Sequence, residues 1–268
     1  MSPLRASALL LCALGLALGS GAGDAAARGK PKSTASQKAA RTKDSKRKRK
    51  GEDAKPEAAK PAEPPARRFR GVCRLQRAKS FLKRERFVVK GQLRGDRHQK
   101  ALKWRIERYG HVDGVPFEKL NPAGAFKHAK QVRFMGLPIT VHEKIAPALS
   151  CVESRIRKTC NGKGRRYQAK AIGGFRQANT YRGGEVSNHL FGIAVDIDPD
   201  KNPCCGCVDP WPSHPSCKKE TSKVIEKAGL TQCWVDAFER YGFYWLGRDE
   251  LEDTMHFEFL GDPDRIVP

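Results

Sequence analysis

Apolar residues recur at three- and four-residue steps in one long stretch of the chain. Val141, Ile145, Leu149, Val152 and Ile156 fall on a single face of a helix. The spacing predicts a helix that starts near residue 141 and stops at the glycines around residues 161–164. A second stretch, RHQKALKWRIERYG at 97–110, reads as a helix with basic residues on its outer face. RLQRAKSFLKRERFVVKG at 74–91 reads as a helix or a helix plus strand, and 222–245 as a further helical region closing on Gly242. The strands announce themselves differently. FGIAVDID at 191–198 is a short, nearly continuous apolar run, and YQAKAIGGFRQA at 167–178 suggests a strand leading into a turn. MHFEFLG at 255–261 alternates, with His256 and Glu258 on one side and Phe257 and Phe259 on the other. No βαβ unit recurs and no glycine loop suited to phosphate is present. The predicted fold class is α+β, with helices packed on a mainly antiparallel sheet.

This pattern occupies residues 69–268, one domain by length. Residues 1–27 have a different layout: Arg5, an apolar run too short to span a bilayer, then the small residues Ala25, Ala26 and Ala27. That is the arrangement of a signal peptide, which predicts export to the periplasm or cell exterior and no transmembrane domain after processing. Leucines rather than small residues precede Cys12, which disfavours a lipoprotein.

Residues 28–68 lack aromatic and large aliphatic side chains and carry fifteen Lys and Arg against five Asp and Glu. Such a segment cannot bury enough apolar area to fold, so a disordered basic linker is expected. KRKRK at 46–50 would read as a nuclear address or nucleic-acid arm in a cytosolic protein; behind an export signal, contact with an anionic envelope surface fits better. The folded part shows no aromatic-basic stacking pattern, so specific nucleic-acid binding is not expected. The chain is read as a monomer.

Eight cysteines remain once Cys12 is set aside. An even count in an exported chain predicts two to four disulfides, with Cys151–Cys160 a plausible local pair and the other connectivity open. Residues 199–221, rich in proline and cysteine, predict an irregular stapled loop. A zinc knuckle at CCGC (204–207) with Cys217 is the rival reading; an oxidising compartment and the adjacency of Cys204 and Cys205 disfavour it.

Candidate chemistry sits in two segments. In SNHLFGIAVDID, 187–198, His189 and Asp196 come together if the chain bends near Gly192 and returns through a strand. Asp196 is the only charge between Ile193 and Ile197, so it needs a cation or donors. In ELEDTMHFEF, 250–259, His256 offers a third ligand and Asp253 a carboxylate able to carry a proton. Glu258 shares a side with His256 and suits either an orienting role or a plain salt bridge. Asp198 and Asp200 lack the spacing of a calcium loop and read as solvated strand-end residues. Trp234 reads as core, Trp211 and Trp245 as core or cleft, and His128, His142 and His214 as ordinary histidines. Serine catalysis fits less well: nothing marks Ser187 as a nucleophile on a sharp elbow.

Taken together, the two segments resemble the M15-type zinc D-alanyl-D-alanine peptidases, whose fold is the hedgehog/DD-peptidase type. The first carries a Ser-x-His-x-x-Gly-x-Ala-x-Asp signature and the second an Asp-x-x-His ahead of a short aromatic strand. The resemblance spans roughly residues 141–259. It implies one Zn2+ held by His189, Asp196 and His256, with Asp253 as catalytic acid/base. It also implies an arginine on the strand before the first motif: Arg176, with Arg182 in reserve. The implied substrate is peptidoglycan or its peptide fragments. The implied reaction is D-alanyl-D-alanine carboxypeptidase action, with endopeptidase cleavage in the same family as the alternative. A non-catalytic zinc-containing wall-binding protein is a further alternative, because the hedgehog signalling domain shares the fold. An exported nucleic-acid binder or nuclease is the remaining reading of the charge.

Overall fold

Three of the four predicted helical stretches and the antiparallel sheet are present, and the strand pairing explains how distant residues meet. The computed structural model describes residues 72–160, 166–181, 183–208 and 211–266. The predicted signal peptide, the basic linker and Arg182 lie outside the described residues.

Among the described residues the first elements are two 3-10 turns, Ser80–Leu82 and Arg84–Arg86, and a hairpin of two-residue strands, β1 Val88–Val89 with β2 Gln92–Leu93. This replaces the helix, or helix plus strand, expected there: only Leu82, Phe87 and Val88 among its apolar residues are fully buried, and the basic residues between them leave no continuous apolar stripe. Helix α1, Gly95–Tyr109, follows as predicted. The hairpin β3 Ala129–Phe134 and β4 Leu137–His142 then leads into α2, Ala146–Thr159.

Val141 therefore belongs to β4 and not to the helix that its spacing suggested. Pro147 in the first turn of α2 explains the later start, because proline is tolerated where helical N–H groups have no partner anyway. The last predicted helical region reduces to a 3-10 turn at Val224–Lys227 and α3, Gln232–Glu239.

Four strands make the central sheet: β5 Ile172–Gly173, β6 Ala194–Ile197, β7 Phe243–Trp245 and β8 His256–Phe259, in the order β5-β6-β8-β7 and antiparallel throughout. The main core lies between this sheet, the β3–β4 hairpin, α2 and α3. Phe257 and Phe238 stack there with ring centres 4.1 Å apart, and Trp234 is buried as expected. Trp245 is also core, its indole donating to the Thr254 carbonyl at 2.9 Å. A smaller apolar cluster joins the N-terminal turns and α1 to Tyr244, Leu246 and Leu260.

The eight cysteines form four disulfides: Cys73–Cys151, Cys160–Cys233, Cys204–Cys207 and Cys205–Cys217. The local Cys151–Cys160 pair is not made. Both residues lie at α2, but Cys151 faces the N-terminal segment while Cys160, past the helix end, meets the start of α3. The bridges within residues 204–217 staple the loop that the proline and cysteine content predicted, and they exclude thiolate zinc ligation there. No described helix is long and apolar enough to cross a membrane.

Candidate metal centre

Asp196 on β6 and His256 on β8 are directly opposed in the antiparallel ladder. Opposed residues project from the same face with their Cβ atoms about 5 Å apart, so the sheet register alone brings these two side chains together. His189 arrives from the turn before β6. Ser187 caps the 3-10 turn Asn188–Phe191 by accepting the His189 N–H at 3.3 Å, and Gly192, at φ 66°, reverses the chain into β6. A Cβ at Gly192 would run into the Phe175 ring and come within 2.8 Å of the His142 backbone nitrogen, so glycine is required on two counts.

The ligand atoms converge. His189 Nε2 is 3.1 Å from His256 Nδ1 and 3.1 Å from Asp196 Oδ2, and His256 Nδ1 is 2.8 Å from Asp196 Oδ1. The outward nitrogens are engaged elsewhere. His189 Nδ1 meets the Gly174 carbonyl at 2.5 Å, so that nitrogen carries its hydrogen and Nε2 presents a lone pair. His256 Nε2 lies 3.2 Å from Glu258 Oε1, which turns its Nδ1 toward the same corner. Two inward imidazole nitrogens and a carboxylate, oriented from behind by a carbonyl and a carboxylate, form the donor set of a divalent transition-metal site.

The ionisation of the cluster fits a site that attracts positive charge. Burial opposes a charged His256, yet the hydrogen bonds to Asp196 and Glu258 outweigh it and hold its pKa well above the ordinary range. Burial lowers the pKa of His189. Burial alone would raise Asp196, but the two imidazoles hold it well below the usual carboxylate range. A proton on His256 Nδ1 is what a dication at this corner would displace.

Arg176 and Asp253 complete the site. Arg176 leaves β5 beside the His189 turn, its N–H donating to the His189 carbonyl at 3.2 Å, and its Nη2 donates to Asp196 Oδ2 at 2.7 Å. Its side chain remains 39% exposed. Asp253 is buried three residues before His256, and its Oδ1 has no hydrogen-bond partner. Burial pushes its pKa up to about 7; His256 opposes this, and the Asp196 charge adds to it. Burial thus makes this carboxyl a readier proton acceptor than a solvated aspartate.

Other candidates resolve plainly. Asp198 is buried rather than solvated, since it accepts from the Tyr167 hydroxyl at 2.5 Å and the Lys170 and Ala171 N–H groups at 2.7 and 2.6 Å. It pins the chain entering β5 to the end of β6 and needs no calcium. His142 is buried between the Lys144 N–H and the Tyr109 carbonyl, away from the metal corner.

Sequence reasoning missed the charged groups behind the site. Arg84, from the second 3-10 turn, donates to Glu185 at 3.0 and 3.1 Å and to Asp249 at 2.6 Å, all buried. Arg105 of α1 is buried and donates to the Val186 carbonyl at 3.3 Å. Its charge, with hydrogen bonds from His256 and Asn188, helps hold Glu258 ionised against burial. No spacing signal connects residues so far apart in the chain.

Residues 180–259 match the model of a peptidase family described as D-alanyl-D-alanine carboxypeptidase. No curated protein and no solved structure matches the chain. The matched span contains His189, Asp196, Asp253 and His256, and over it the chain is similar to that family. With its metal-binding triad, the protein carries a metallopeptidase domain.

Proposed function

We propose that the domain is a zinc-dependent D-alanyl-D-alanine carboxypeptidase acting on peptidoglycan stem peptides. The observation that carries the reading is the convergence of His189 Nε2, Asp196 and His256 Nδ1 beside the buried Asp253, whose Oδ1 has no hydrogen-bond partner. Two imidazoles and one carboxylate leave a fourth tetrahedral position free, as catalytic zinc sites do. When bound, zinc would supply Lewis acidity to the attacking water and to the scissile carbonyl.

The side chains do the rest. Asp253 takes a proton from the attacking water and returns it to the leaving amine nitrogen. Glu258 and the Gly174 carbonyl hold the two imidazoles in their ligand orientation. Arg176, partly exposed beside Asp196, holds the terminal carboxylate of the substrate. That role favours carboxypeptidase over endopeptidase action, since only the former presents a free carboxylate next to the scissile bond. The leader-like residues 1–27 and the basic residues 28–68 support export and attachment to an anionic wall.

The test is incubation of the zinc-loaded protein with defined wall fragments, with products weighed by mass spectrometry. Loss of one alanine from a pentapeptide stem is expected. Cleavage within the stem or a cross-link would replace carboxypeptidase by endopeptidase. No cleavage of any fragment, with zinc bound, would overturn the hydrolytic reading.

A further inference from the structure

The reading of Asp253 as proton carrier raises the question of what fixes its position. It lies three residues before β8, outside any helix or named strand, and one carboxylate oxygen has no partner. Its backbone must therefore place it. A short strap, residues 203–207, runs antiparallel beside residues 251–254. Gly206 N–H donates to the Leu251 carbonyl at 2.7 Å, Cys205 N–H to Glu252 at 3.2 Å, and Thr254 N–H to Pro203 at 3.1 Å. The Thr254 hydroxyl also donates to the Pro203 carbonyl, at 2.8 Å. Cys204 and Asp253 are the bridged pair at the middle of this ladder.

The strap has no regular structure of its own to keep its shape. It is closed by a tight turn, Cys207 N–H to the Cys204 carbonyl at 3.2 Å, and by the Cys204–Cys207 disulfide across that turn. The two sulfurs and an Asp253 carboxylate oxygen all lie within 4.8 Å of one another. Such a grouping of two cysteines and a carboxylate has the outline of a second metal site. With the sulfurs bonded to each other, neither can serve as a thiolate ligand.

We propose that the Cys204–Cys207 disulfide is a positioning element of the active site, holding Asp253 beside the metal corner through this strap. It acts first on Asp253; His256, whose N–H donates to the Asp253 carbonyl at 3.4 Å, is held independently by its pairing with Asp196 across β6 and β8, and His189 by its own turn. Gly206 is the point of closest approach: a Cβ there would come within 2.5 Å of the Glu250 carbonyl oxygen and 2.8 Å of Leu251. The strap can lie this near only because residue 206 is glycine. Misplacing a reacting group by about 1 Å costs turnover on the order of 100-fold, while binding of substrate is less affected.

The proposal rests on the role assigned to Asp253, and its test keeps the two apart. Full-length C204A/C207A and G206A, the latter retaining all four disulfides, are compared with the wild type in zinc content, amide exchange of Thr254, and kcat and KM on a D-alanine-terminated stem peptide. Both variants are expected to keep one zinc and a KM within about twofold, to lose roughly 10–100-fold in kcat, and to exchange the Thr254 amide faster. Wild-type kcat and Thr254 protection in either folded variant would overturn the proposal, as would loss of zinc in proportion to activity. Should C204A/C207A fail to fold, G206A decides alone. If the wild type cleaves no wall peptide, the functional reading falls, and Thr254 exchange still decides whether the strap positions Asp253.

Discussion

Each ligand histidine spends its outer nitrogen on a partner that can only accept, and this makes the outer partners as consequential as the ligands. Glu258 is the clearest case: buried, it faces His256 Nε2 at 3.2 Å. Replacing it by glutamine should weaken zinc binding by roughly 10–100-fold, as loss of such partners does elsewhere, and competition against a calibrated chelator reads that change. Asp253→Asn should instead leave zinc affinity near the wild-type value and abolish most turnover. The two variants thus separate metal holding from proton transfer.

His142 supports a prediction of another kind. Its Nδ1 accepts the Lys144 N–H, so its other nitrogen donates to Tyr109 and the ring is satisfied only when neutral. Burial, with the stacked His128 adding to it, lowers its pKa from 6.5 to about 4. The unfolded chain therefore binds the proton first, and stability present above pH 6.5 is lost as pH falls toward 4. The loss is on the order of 2–3 kcal/mol. His98, buried near Arg105 and also lowered to about 4, has the same sign. Thermal melts from pH 7.5 to 4.5 should show the decline, and His142→Gln should make it shallower.

At the level of elements, the turn into β6 is the part most dependent on one residue. Gly192→Ala meets both a left-handed φ and the Phe175 ring. It should cost on the order of 2–4 kcal/mol in a denaturant titration and weaken metal binding by shifting His189. The elements that carry the ligands were legible in the sequence because their signals are local. Apolar residues flank Asp196, a glycine marks the bend, and strict alternation puts His256 and Glu258 on one side. The β4–α2 boundary was not legible, since Val141 satisfies a helical period by accident and the break is set by pairing with Lys130 across the hairpin. Asp198 was misread for a related reason: what buries it is Tyr167 and two backbone N–H groups from a distant approach to β5. The cysteine pairing was equally beyond local reasoning, because two bridges join residues more than seventy positions apart.

For the whole molecule, the N-terminal residues carry no recognisable motif, yet their arginines are built into the peptidase domain. Arg84 compensates Glu185 and Asp249, and Arg105 stands behind Glu258. Removing one partner of a buried ion cluster leaves uncompensated charge, so Arg84→Met should lower stability by about 3–5 kcal/mol. Replacing Glu185 by leucine as well should recover part of that loss. Chemical denaturation of the zinc-loaded protein measures both. Absence of any loss in the single variant would mean that the N-terminal segment is dispensable to the domain.

The pairing of Asp196 with His256 would give an ion held by the triad a role during maturation. Sliding β6 past β8 by a single position would set Val195 opposite His256 and turn the aspartate to the far side of the sheet. A misaligned molecule then has no grip on a cation, and a molecule that has captured one is biased against misalignment. Zinc uptake on refolding should therefore count correctly threaded chains, and zinc supplied early should raise their yield.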